Sequence, residues 1–121
     1  MSIKILVVDD AIVARKMIKR LLNNSEFSDA TLVEAVSGEQ GLEKFDDSID
    51  VVMSDWNMPG INGLEFVSEI RKLDADVPVI MITTEGTLQK INLAKDAGVN
   101  EYIVKPFSAE KLVDALSSVL E

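Results

Sequence analysis

The chain has no cysteine and no histidine. The first absence removes disulfides, thiolate nucleophiles and cysteine zinc sites, and the second removes imidazole bases and the commonest transition-metal ligand. Site chemistry is left to carboxylates, hydroxyls, lysine and the backbone. Cations are scarce as well. Twelve Lys and Arg stand against 21 Asp and Glu, a formal net charge of −9, so phosphate backbones and anionic membrane surfaces are repelled rather than steered in. Neither a nucleic-acid nor a membrane partner is expected. Long apolar runs are missing too. The run that ends at Val8 is too short for a secretion signal and far too short to span a bilayer, so a cytoplasmic location is expected. Proline is rare, at Pro59, Pro78 and Pro106 only, each beside an apolar run, and no Pro/Gly/Ser-rich stretch or charge block divides the 121 residues. One domain over 1–121 is expected.

What is present is an alternation. Short β-branched runs at Ile3 to Val8, Thr31 to Val33, Val51 to Met53, Val79 to Ile82 and Tyr102 to Val104 are too short for helices and apolar on both faces, which predicts buried parallel strands. Between them, apolar residues step by three or four: Ala14, Met17, Ile18, Leu21; Leu64, Val67, Ile70; Leu88, Ile91, Ala94; Leu112, Leu116, Val119. These stripes predict helices that turn those residues to the core. A shorter helix after the second strand is signalled by Ser37 and Gln40, a capping-box pair, while Ser108 is placed to cap the last helix and Gly98 to close the fourth. Strict alternation requires right-handed crossovers, so the predicted fold is a doubly wound α/β domain with helices on both faces of a parallel sheet.

The strand ends break the apolar pattern. The first ends on Asp9-Asp10, the third on Asp55, the fourth on Thr83-Thr84 and the fifth on Lys105-Pro106. Singly, each has an ordinary explanation as a cap, a turn residue or a solvated side chain. In a parallel sheet, however, all carboxyl ends share one edge, so these groups converge on one crevice. Three carboxylates and one ammonium leave a net charge of −2 there, which a divalent cation would balance. With only oxygen ligands on offer, the fitting ion is Mg²⁺ or Mn²⁺. A carboxylate beside such an ion, a lysine and a hydroxyl is equipment for phosphoryl transfer, with Asp able to serve as nucleophile. Neither G-x-x-x-x-G-K-[ST] nor G-x-G-x-x-G occurs, so the phosphoryl donor is not expected to be a nucleotide bound here.

VVDD ending at Asp10, SDWNMPGINGLE from Ser54 to Glu65, MITTEG from Met81 to Gly86 and YIVKPF from Tyr102 to Phe107 stand in the order and spacing of receiver domains of two-component response regulators. The chain resembles that family over essentially its whole length, and within it the stand-alone chemotaxis receivers. The resemblance implies a five-stranded sheet in the order 2-1-3-4-5 and no output domain. It implies that Asp55 is the phosphoacceptor, that Asp9 or Asp10, with Asp55 and the backbone carbonyl of Asn57, holds Mg²⁺, and that Lys105 binds a phosphoryl oxygen. In the family, Asp10 is the more direct metal ligand and Asp9 often acts through water. Alternation along a strand does not choose between Thr83 and Thr84; the family alignment makes Thr83 the hydroxyl that moves to the phosphoryl group, with Tyr102 swinging inward behind it. The implied donor is the phosphohistidine of a kinase, and the implied activity is a switch acting on itself rather than an enzyme for other substrates. The implied target is a protein such as a flagellar motor switch component, docking near Ile91 and Tyr102 on a monomer; Ile91 has an equal claim to be plain helix packing.

The chain departs from the family where relatives often carry Ser or Thr at the start of the first helix: here the run is Ala11-Ile12-Val13-Ala14. That predicts a weak cap and open space beside Asp55. Thr84 and Glu85 border the expected phosphoryl position and are candidates to tune its lifetime. The competing readings are a phosphorelay intermediate or the receiver part of a larger regulator, and, in another class, a flavodoxin-like cofactor binder or a phosphatase. Against the last pair stand the missing phosphate loop and Asn57 where a phosphatase would place a second acid.

Overall fold

A computed structural model describes residues 2–120. Strands and helices alternate throughout: β1 (Lys4–Val8), α1 (Ile12–Asn23), β2 (Thr31–Ala35), α2 (Gly38–Lys44), β3 (Val51–Ser54), α3 (Gly63–Leu73), β4 (Val79–Thr83), α4 (Leu88–Ala97), β5 (Glu101–Val104) and α5 (Ala109–Leu120). The sheet is parallel, in the order β2-β1-β3-β4-β5, as expected. Alternation along each strand divides the core in two. Ile5 and Val7 of β1 face one layer with Ile18 and Leu22 of α1 and Leu112 and Leu116 of α5. Leu6 and Val8 face the other, with Phe66, Val67 and Ile70 of α3 and Ala94 of α4. Every residue of β3 and β4 is buried, which is why these two strands read as unbroken apolar runs.

Helix ends follow local chemistry. Ser37 accepts the Gln40 amide at 3.1 Å as anticipated, but the Gln40 side chain turns back to the Val36 amide at 2.8 Å rather than to Ser37. The complete reciprocal box lies instead at the start of α3, between Asn62 and Glu65 (2.9 and 3.0 Å). Ser108 accepts the Lys111 amide at 3.2 Å, and Gly98 closes α4 with φ +113°, a left-handed conformation that disfavours side chains. α1 has no side-chain cap at Ala11.

The stripe assigned to the fourth helix needs correction. Leu88 is 72% exposed, and Ala94 is the one fully buried residue of α4. The helix lies with little of its surface against the sheet, so its first-turn leucine faces solvent. Leu93 and Val104 are also exposed.

Candidate functional site

The carboxyl edge of the sheet brings Asp9, Asp55 and Lys105 into contact. The Lys105 ammonium lies 3.0 Å from Asp9 Oδ2 and 3.2 Å from Asp55 Oδ2, joining groups 96 and 50 residues apart in sequence. β1 and β3 are neighbours in the sheet, with Val8 opposite Ser54, so the residues after them emerge side by side. The second oxygen of each carboxylate is held by the backbone: Asp9 Oδ1 accepts the Ala11 amide at 2.9 Å, and Asp55 Oδ1 accepts the Trp56 amide at 2.6 Å. The Asp9 side chain is 5% exposed and that of Asp55 13%, so Asp55 keeps the more open approach. Burial by itself would lower the Lys105 pKa, but the hydrogen bond to Asp9 and the charges of Asp55 and Asp9 outweigh it and raise it above 10.5. The ammonium is therefore a permanent charge at neutral pH.

Asp10 is exposed, outside this ion-paired group. Thr83 is fully buried at the end of β4, its hydroxyl oxygen accepting the Glu85 amide only at 3.4 Å. Thr84 is exposed. The sequence singled out Glu85 only as a bordering group, yet it joins several parts of the site. Its carboxylate accepts the Asn57 side-chain amide at 3.2 Å, and its carbonyl accepts the Tyr102 hydroxyl. The Tyr102 ring is half-buried against the α3–α4 layer; burial, then the charges of Glu85 and Asp55, raise its phenol above the ordinary value of 10.0. Ile91 is half-buried in the middle of α4.

The space expected from the small residue at position 14 exists but lies elsewhere. A cavity of roughly 250 Å³ opens between Ala14, Met17, Thr84, Lys105 and Phe107, and Asp55 is not among its walls. Glycine matters directly behind Asp55. A Cβ on Gly63 would meet the Asp55 carbonyl oxygen at 2.1 Å and Trp56 Cα at 2.7 Å, so α3 approaches this closely only because residue 63 has no side chain.

The donor set suits a hard cation. Asp9, Asp10, Asp55 and nearby carbonyls offer oxygen only, and among the described residues no three acidic side chains converge tightly enough to hold an ion by themselves. An ion that keeps several waters and takes one or two carboxylates, as Mg²⁺ does, fits such a set. The negative charge left after Lys105 pairs with two carboxylates favours it.

A five-stranded parallel sheet with an Asp–Lys–Asp contact at its carboxyl edge defines a class, and residues 5–117 match the family model described as the response regulator receiver domain. The chain belongs to that family of signalling switches, whose members bind Mg²⁺. Among its relatives, Chemotaxis protein CheY1 of Helicobacter pylori is 43% identical, the match covering 97% of this chain and 96% of that one. Chemotaxis protein CheY of Bacillus subtilis is 36% identical over 99% of both. Among solved structures, the chemotaxis response regulator CheY4 of Vibrio cholerae superposes with a TM-score of 0.88 at 34% identity, covering 99% of this chain and all of that one. The CheX–CheY–BeF₃–Mg²⁺ complex of Borrelia burgdorferi gives 0.90 at 27% identity, covering 98% and 90%. Among the described residues, no helix is long and apolar enough to cross a membrane.

Proposed function

We propose that this protein acts as a receiver in which Asp55 accepts a phosphoryl group and the change is read by a protein target, in a chemotaxis pathway. The observation that carries the reading is the Lys105 ammonium held between Asp9 and Asp55. An Asp55 oxygen attacks the phosphorus of a phosphohistidine on a CheA-like histidine kinase. The P–N bond breaks, its electron pair leaves with the imidazole, and an acyl phosphate forms on Asp55. Lys105, already aimed at Asp55 Oδ2, stays on a phosphoryl oxygen and stabilises its charge. Asp9, Asp10, Asp55 and the Asn57 carbonyl would hold Mg²⁺ together with waters, and the ion when bound would supply further positive charge beside the transferring oxygens. Water later attacks the same phosphorus, releasing inorganic phosphate and restoring the carboxylate.

The added charge and acceptors recruit the Thr83 hydroxyl, whose present contact is long, and bias the β4–α4 loop that Glu85 ties to Tyr102. The reshaped surface is the α4–β5–α5 face. Exposed Leu88, Leu93 and Val104, with Ile91 and Tyr102 nearby, give that face apolar contacts for a partner such as a flagellar motor switch protein. The test is intact-mass analysis after incubation with acetyl phosphate, with and without Mg²⁺, beside Asp55→Asn. A gain of one phosphoryl group that requires both Mg²⁺ and Asp55 is expected; no gain by the wild type with Mg²⁺ present overturns the reading.

A further inference from the structure

Arg15 stands out among the buried charges. It lies on the first turn and a half of α1, only 8% exposed, and its guanidinium does not reach the acidic contact directly. Instead Nη1 donates to the backbone carbonyl of Asp9 at 2.6 Å, while Nε donates to the Glu34 carboxylate on β2 at 2.9 Å. The Asp9 amide donates in turn to the Ala35 carbonyl at 3.1 Å. Every polar atom of Asp9 is thus fixed: amide by β2, carbonyl by Arg15, one carboxylate oxygen by the Ala11 amide and the other by Lys105. Without Arg15 that carbonyl would lose its charged donor.

The carbonyl matters because it defines the plane of the Asp9–Asp10 peptide. Asp10 is exposed and, among the described residues, its carboxylate has no hydrogen bond or ion pair. Its direction is therefore set by the peptide that precedes it and by the uncapped start of α1. We infer that Arg15 is a positioning residue for Mg²⁺: by clamping the Asp9 carbonyl against the Glu34 anchor, it aims the Asp9 and Asp10 carboxylates at the position the ion takes. The inference rests on the proposed function, since it presumes that these carboxylates bind the ion. A planar guanidinium is suited to the task because it spans two acceptors at once; lysine keeps the charge but offers one point of attachment. Glu34 offsets the charge of Arg15, so the effect on the ion is one of geometry.

Calorimetric titration with MgCl₂ of wild type, Arg15→Met, Arg15→Lys and Glu34→Ala, beside each melting temperature, tests this. Support for a metal carboxylate commonly contributes a factor of ten or more in affinity, so Arg15→Met is expected to bind Mg²⁺ about tenfold more weakly. Arg15→Lys should fall between it and the wild type, and Glu34→Ala should show a smaller loss. A plain brace between α1 and β2 would lower the melting temperature and leave the Mg²⁺ dissociation constant unchanged, and that result overturns the inference. If Arg15→Met does not fold, Arg15→Lys and the exposed-site variant Glu34→Ala decide by the same criterion. Failure of the wild type itself to bind Mg²⁺ would instead sink the reading of the site as a receiver.

Discussion

Lys105 shows how one side chain can serve two ends. Two carboxylates brought together at adjacent strand ends repel each other, and the ammonium between them offsets that repulsion. In Lys105→Met the pair is left unneutralised. Mg²⁺ should then bind more tightly, while phosphoryl uptake from acetyl phosphate should slow by about 10²-fold, the scale of losing one charged donor to developing oxyanions. Weaker Mg²⁺ binding in a titration, with uptake unchanged, would contradict this account of Lys105. Its pKa and that of Tyr102 are both raised on folding, so the protonated forms are favoured in the native state. The stability they contribute is complete below their unfolded values, 10.5 and 10.0, and is lost as pH rises through the raised folded values. Urea midpoints measured from neutral pH upward should be flat with respect to these two groups until about pH 10 and then fall, and Lys105→Met should reduce the fall.

Between elements, the comparable hub is Arg71 at the end of α3. Its guanidinium donates to the Gly98 carbonyl at 2.7 and 3.2 Å, to the Val77 carbonyl at 2.6 Å, to the Asp74 carbonyl at 3.2 Å and to the Asn100 side chain at 3.0 Å. One side chain thus fastens α3 to the start of β4 and the end of α4, at the edge opposite Asp55. Removing it strips several carbonyls of a charged donor, so Arg71→Ala should cost about 2–3 kcal/mol in urea unfolding and leave the phosphorylation rate unchanged. Apolar period and strand length made the elements themselves legible, because burial on both faces of β3 and β4 imposes an unmistakable run. The hubs were not legible. A lone arginine carries no period, and what Arg15 and Arg71 do depends on carbonyls brought near by the crossover connections. The orientation of α4 was hidden for a related reason: Leu88, Ile91 and Ala94 have helical spacing whether the helix presents that stripe to the sheet or tilts its first turn away.

At the scale of the molecule, the proposed phosphoacceptor and the β5 tyrosine are joined by a short chain of contacts. Asp55 lies at the end of β3; Asn57, two residues on, donates to Glu85 in the β4–α4 loop; the Glu85 carbonyl holds the Tyr102 hydroxyl on β5. The meeting of Asp9, Asp55 and Lys105 was readable from sequence because strand ends in a parallel sheet share an edge, whereas the Asn57–Glu85–Tyr102 contacts run in part through a backbone carbonyl that no motif encodes. A phosphoryl group on Asp55 that draws Thr83 toward it must disturb the same loop, since the Glu85 amide leans on the Thr83 oxygen. The consequence for α4 should depend on Tyr102 keeping its grip on Glu85. Tyr102→Phe removes that hydroxyl while preserving the ring and its packing, so phosphoryl uptake from acetyl phosphate should match wild type. Amide exchange across α4 should change on phosphorylation in the wild type and change much less in Tyr102→Phe. An undiminished response of α4 in the variant would show that the signal crosses through Thr83 and the loop backbone alone, and that the tyrosine belongs to the target-binding surface rather than to the transmission.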